Sequence, residues 1–246
     1  MAAAAVDAAA AAVGAAATAT KILYLHSERS VKNKAMRNAW PLFFLSTLFF
    51  CPLLFTQPKD LNQIPNKDLS KNFVVLGDSL TEGYGVAKDS AFPALLEKKL
   101  GSPWKVIAAG ISGSTSASAL SRMKWQLKAK PDVVLLALGS NDALRGLKPE
   151  ETEKNLAEAI EFAQKEKVSV LLAGLMAPPN YGKEYSEKFK SVFVNLEKKY
   201  KIKRMPFLLE GVAGESKMNL PDGIHPNEKG HAHIAEQLSV FLKGIL

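Results

Sequence analysis

The chain has 246 residues, 47% of them apolar and 23% charged, the ordinary balance of a globular protein with one sizeable core. Of the net charge of +8, residues 1–38 carry +3 and the remaining +5 is spread over Lys–Glu-rich stretches with no clustered basic stripe, which argues against a nucleic-acid partner. The single cysteine, Cys51, excludes an intrachain disulfide and any cysteine-based zinc site.

Residues 1–38 open with an alanine-rich stretch that has no apolar period and reads as low complexity. They end in a basic stretch from Arg29 to Arg37. No charge occurs from Asn38 to Pro58, and residues 39–56 hold the apolar run Trp40 to Phe55. A basic flank before an apolar run is the pattern of an export signal or a membrane anchor, with the positive side retained in the cytoplasm. Small residues suited to cleavage are missing near Phe55, which favours an uncleaved anchor, whereas Pro41 and Pro52 weaken a single clean helix. Met36 offers an alternative start for a shorter signal. Residues 57–71 read as a polar linker, and residues 72–246 as the globular domain.

From Asn72 the pattern alternates. Phe73–Leu76 is a short apolar strand ending at Gly77, and Phe92–Leu100 a helix closed by Gly101. Trp104–Ala108 is a second strand stopping at Gly110, and Ser116–Lys128 a helix. Asp132–Leu138 is the clearest strand, followed by a helix over Pro149–Lys167 with Leu156, Ala159, Ile160 and Ala163 on one face. Val168–Ala173 is the fourth strand. A helix over Lys183–Tyr200 carries Phe189, Val192, Phe193 and Leu196 at the same spacing. Arg204–Leu209 is a weaker strand that Pro206 assigns to a sheet edge, and Asn227–Leu242 is the closing helix. Such alternation predicts an α/β fold, a parallel sheet covered by helices on both sides. Ligands of such sheets bind beyond the carboxyl ends of the strands.

Chemistry-bearing residues stand at those ends. Gly77-Asp78-Ser79-Leu80 follows the first strand, Ala109-Gly110 closes the second, and Gly139-Ser140-Asn141-Asp142 follows the third. Asp222-Gly-Ile-His225-Pro226 precedes the last helix. Singly, each is commonly a turn or a cap; together, in this order, they supply what acyl transfer needs. A serine hydroxyl is a weak nucleophile until a base takes its proton. His225 suits that role near neutral pH, and Asp222, three residues back, can hold its other ring nitrogen. The oxyanion of a tetrahedral intermediate needs donors, and three are available: the backbone N–H groups of Ser79 and Gly110 and the side-chain amide of Asn141. Asp78 and Asp142 read as loop braces. His231 and His233, two apart in a helix, face different ways and make a poor metal pair. The loop after the first strand lacks a phosphate-cradling glycine run, which argues against a flavodoxin-type nucleotide binder.

As a set, these blocks resemble the SGNH (GDSL-type) hydrolases. Leu76 to Gly85, Phe92-Pro-Ala-Leu-Leu96, Ala109 to Gly113 and Pro178-Pro-Asn-Tyr-Gly182 are similar to the bacterial thioesterase I, lysophospholipase L1 and arylesterase branch. The resemblance covers about Asn72 to Leu246. It implies a three-layer α/β/α sandwich with a five-stranded parallel sheet, flavodoxin-like in layout. It implies Ser79, Asp222 and His225 as a triad, Ser79, Gly110 and Asn141 as oxyanion donors, and no metal or organic cofactor. It places the loop containing Pro179, Asn180 and Tyr181 beside an acyl-binding groove. The expected substrate is a small-molecule acyl ester, thioester or lipid. The expected protein is a monomer, exported to the periplasm or exterior or tethered to the membrane through residues 39–56. Two alternatives are an O-acetyl carbohydrate esterase and a non-catalytic anchored binding module. Ala108 stands where relatives usually carry Asn, and Ser114 where they usually carry Asp, which puts the rigidity of the Gly110 loop and the substrate range in question.

Overall fold

The structure, a computed structural model, describes residues 70–246. The expectations for residues 1–38 and 39–56, and for the linker as far as Leu69, lie outside the described residues. Five strands form one parallel sheet: β1 (Lys71–Gly77), β2 (Trp104–Gly110), β3 (Val133–Ala137), β4 (Ser169–Ala173) and β5 (Lys203–Met205), in the order β2-β1-β3-β4-β5. The first strand therefore begins one residue before the expected boundary at residue 72. Phe73 to Leu76 of β1 and Val134 to Leu136 of β3 are fully buried. Such continuous apolar runs are what a strand covered on both faces requires. Each large side chain so buried contributes about 1.5–3 kcal/mol.

Among the described residues seven helices accompany the strands: α1 (Ser79–Glu82), α2 (Phe92–Leu100), α3 (Ala119–Gln126), α4 (Ser140–Leu144), α5 (Pro149–Lys165), α6 (Lys183–Tyr200) and, after the last strand, α7 (Glu228–Leu242). The apolar faces expected of α5 and α6 are the buried ones: Leu156, Ala159, Ile160 and Ala163, and Phe189, Val192, Phe193 and Leu196. Asn227 caps α7, its side chain accepting from the backbone N–H groups of Lys229 and Gly230. α2 packs with α7, while α3, α5 and α6 pack in series. Right-handed crossovers put α2 on one face of the sheet and the helices after β2, β3 and β4 on the other. The chain reverses direction between β1 and β3, and the crevice at their carboxyl ends is the switch point of this strand order.

Two elements differ from the sequence expectation. The helix expected over Ser116–Lys128 is α3 flanked by two 3-10 turns, Ser116–Ser118 and Leu127–Ala129. The cause at its start is Asp142, whose carboxylate takes the backbone N–H of Ser116 at 2.8 Å and its hydroxyl at 2.5 Å, fixing Ser116 from outside the helix. The fifth strand stops at Met205 instead of running to Leu209. Pro206 has no N–H to give the ladder, and the chain turns back so that Leu208 donates to Gly174.

Candidate active site

Asp78 and Ser79 follow the end of β1 directly. Asp78 caps α1, accepting the Leu80 N–H at 3.0 Å, and this fold-back sets Ser79 as the first residue of the helix at the sheet's carboxyl edge. From the other end of the chain, a hairpin closed by the Asn219–Pro226 bridge and by Leu220 N–H donating to the His225 carbonyl at 2.7 Å presents Asp222 and His225. The two segments meet. His225 Nε2 lies 3.0 Å from Ser79 Oγ, and His225 Nδ1 lies 2.7 Å from Asp222 Oδ2. With the second ring nitrogen held by a carboxylate, Nε2 is the one left to take a hydroxyl proton.

Asp222 is held by its own turn. Its Oδ1 accepts the backbone N–H groups of Ile224 at 2.9 Å and His225 at 3.0 Å. The His225 backbone N–H, then the His225 ring, then the Ile224 N–H pull the carboxyl down to about 2. Asp78 has the opposite setting: burial pushes it up to about 6, against the lowering effect of the Leu80 N–H.

Asn141 is the second residue of α4, just after β3. Its Nδ2 donates to the Ser114 carbonyl at 3.1 Å and, more weakly, to Asp78 Oδ2 at 3.4 Å. Gly110 ends β2 in register with Gly77. A Cβ at Gly110 would collide with the backbone of Thr81 and Glu82, so only glycine lets the second strand approach the turn that carries Ser79. The short helices α1 and α4 thus bring Ser79 and Asn141 to the end of the same sheet as Gly110.

Several residues that the sequence reading did not single out hold this frame. The Glu82 carboxylate accepts the backbone N–H of Ser112 at 2.7 Å and also the Ser112 hydroxyl, which lowers its pKa and pins the loop after Gly110. Arg122 Nη2 donates to the Ala109 carbonyl, and Arg145 Nη2 to Gly113 at 2.9 Å. Tyr84 lays its ring against His225, with centroids 4.5 Å apart. The signal that finds these residues is tertiary: Glu82 and Ser112 are 30 residues apart. Asp142, read as a brace, also accepts the Thr152 hydroxyl at 3.1 Å and ties the β2–α3 loop to α5.

Pro179, Asn180 and Tyr181 form an exposed 3-10 turn. The Tyr181 hydroxyl donates to the Leu144 carbonyl at 2.6 Å, which docks the turn on the helix carrying Asn141. His231 and His233 diverge as expected: His231 is fully buried, its Nδ1 accepting the Phe92 N–H at 3.2 Å, while His233 lies against Gly211. Burial pushes His231 down to about 4. Among the described residues no three His, Cys, Asp or Glu side chains converge as a metal site needs.

Comparison with known proteins points one way. The model of the GDSL-like lipase/acylhydrolase family matches residues 75–233. The esterase TesA of Pseudomonas aeruginosa is 38% identical over 72% of this chain and 90% of its own length. The thioesterase 1/protease 1/lysophospholipase L1 of Escherichia coli K12 is 36% identical over 70% of this chain and 84% of its own. The crystal structure of TesA superposes with a TM-score of 0.69 at 38% identity, covering 72% of this chain and 100% of that one. The psychrotrophic esterase EstA from Pseudoalteromonas sp., inhibited by monoethylphosphonate, superposes at 0.68 with 32% identity, covering 71% of this chain and 98% of that one.

Proposed function

The chain belongs to the GDSL-like lipase/acylhydrolase family, and on that footing we propose that it is a serine hydrolase cleaving carboxylic esters or thioesters of acyl chains through an acyl-enzyme on Ser79. The observation that carries the reading is the hydroxyl–imidazole–carboxylate chain, 3.0 Å from Ser79 to His225 and 2.7 Å from His225 to Asp222. His225 Nε2 takes the Ser79 proton as Oγ attacks the carbonyl carbon. The Ser79 and Gly110 N–H groups and the Asn141 amide receive the oxyanion, which displaces the long contact from Asn141 to Asp78. The imidazolium then gives its proton to the leaving oxygen or sulfur, and the acyl group stays on Ser79. Water, deprotonated by the same ring, attacks the acyl-enzyme and releases the acid.

Acyl chains are the substrate class that the surroundings favour. Of nine large apolar side chains exposed among the described residues, six stand in the segments that follow the carboxyl ends of the strands: Tyr84, Ile111, Leu144, Met176, Tyr181 and Ile224. The turn of Pro179, Asn180 and Tyr181 forms the acyl side of this rim. Every group in the proposed machinery comes from one chain, so a monomer suffices. The basic stretch and the uncharged run through residues 39–56 direct the domain to the exterior or tether it there.

The test is Ser79→Ala. It should abolish hydrolysis of p-nitrophenyl octanoate and labelling by a fluorophosphonate probe while leaving the melting temperature in place. Hydrolysis retained in that variant rejects the assignment, and a wild-type chain inert to the probe turns the reading to a binding module. Acyl lengths from acetyl to palmitoyl, with lysophospholipid and acyl-CoA, define the substrate; a sharp preference for acetyl over octanoyl turns it toward O-acetyl groups on carbohydrate. Cell fractionation tests the export proposal.

A further inference from the structure

We propose that Tyr84 is a positioning residue for His225: its ring covers one face of the imidazole, fixes the ring plane between Ser79 and Asp222, and favours the imidazolium formed when Ser79 gives up its proton. This rests on the role proposed for His225. The two ring centroids are 4.5 Å apart and the planes are inclined by 39°. A cation at that distance over an aromatic face is attracted by the ring's quadrupole.

The placement is built from both sides. The backbone N–H groups of Gly83 and Tyr84 both donate to the Ser79 carbonyl at 3.1 Å. The next residue, Gly85, lies so close to Leu220 that a Cβ would strike its side chain, and Leu220 in turn donates its N–H to the His225 carbonyl. The residue carrying the ring is therefore tied to the nucleophile on one side and to the hairpin of the base on the other. Tyr84 is 52% exposed, so core packing does not account for its position. Its contact with the imidazole is made by the ring itself.

The other titratable groups facing His225 are Asp222 at Nδ1 and, acting through charge at longer range, Asp78 and His231. Ser79 meets Nε2. Tyr84 is the aromatic ring that meets the imidazole among the described residues.

The experiment compares wild type with Tyr84→Phe, Tyr84→Leu and Tyr84→Met. NMR titration of the His225 imidazole runs alongside pH profiles of kcat/KM on a p-nitrophenyl ester. Loss of the ring should move the His225 titration and the acid limb of the profile down by about half a pH unit. It should lower kcat roughly three- to tenfold, with KM within about twofold. Tyr84→Phe should keep both midpoints at the wild-type value. Leu and Met variants that fold and titrate as wild type overturn the inference. A wild type without Ser79-dependent turnover overturns the hydrolase reading instead, and the NMR arm still decides what Tyr84 does to the ring.

Discussion

Asn141 Nδ2 is clamped between the Ser114 carbonyl at 3.1 Å and the Asp78 carboxylate at 3.4 Å. The short bond fixes the amide plane; the long one is weak enough to yield to a better acceptor. Asn141→Ala should therefore lower kcat by about 10²–10³-fold, the usual loss for one oxyanion donor, with little change in KM. Steady-state kinetics on p-nitrophenyl butyrate checks it, and an unchanged kcat would remove Asn141 from the oxyanion site.

Asp222 stays ionised well below the usual carboxylate range, because its own turn holds it at about 2. Protonation of Asp222 therefore does not set the acid limit of activity. Asp222→Asn removes the charge that steadies the imidazolium and should cost up to about 10⁴-fold in kcat near pH 8. Titrating the variant's residual activity separates lost charge from lost folding, which circular dichroism reports independently.

Asp78 and His231 pull stability in opposite directions with pH. Asp78 takes up its proton at about 6 when folded, against 3.8 for an unperturbed carboxyl, so the folded state binds more protons over that interval. Its contribution to stability falls as pH rises through the interval and costs roughly 3 kcal/mol at neutral pH. His231 is driven from 6.5 to about 4, so the folded state binds fewer protons there, and its stabilising share, of similar size, is lost as pH falls. Asp78→Asn removes the first effect alone. Urea unfolding should find the variant more stable than wild type at pH 7.5 and steeper in its loss of stability between pH 6.5 and 4.

Gly110→Ala should destabilise the fold by about 1–3 kcal/mol, since the new methyl meets the backbone of Glu82 and Thr81 and no flexible side chain that could move aside. Residual activity should drop further than stability accounts for, because β2 must withdraw from the Ser79 turn. Thermal melts and kinetics on the same preparation separate the two.

Tyr181→Ala frees the turn that its hydroxyl ties to Leu144. KM for octanoyl esters should rise several-fold, with acetyl esters little affected. An equal rise for both lengths would detach this turn from acyl binding.

The layout of strands and long helices was legible because run length and spacing encode it. Val133 to Ala137 is a buried strand by composition alone, and Phe189, Val192, Phe193 and Leu196 mark one face of α6. The short helices α1 and α4, which present Ser79 and Asn141, have too few residues to show a period. The early break before α3 depends on Asp142, 26 residues from Ser116, and no local pattern contains that contact. Ser79, Asp222 and His225 could be singled out because their residue types are rare in combination, and the fold brings the three side chains together. Tyr84 and Glu82 gain their contacts only when loops remote in sequence close on each other, so composition and spacing passed them over.

Ser79 and His225 are 146 residues apart, contributed by the turn after the first strand and by the segment entering the last helix. On the proposed mechanism, a growing chain displays the hydroxyl through those 146 residues of synthesis without the group that would activate it. A chain that ends before His225 carries the hydroxyl without its proposed base and should turn over no ester.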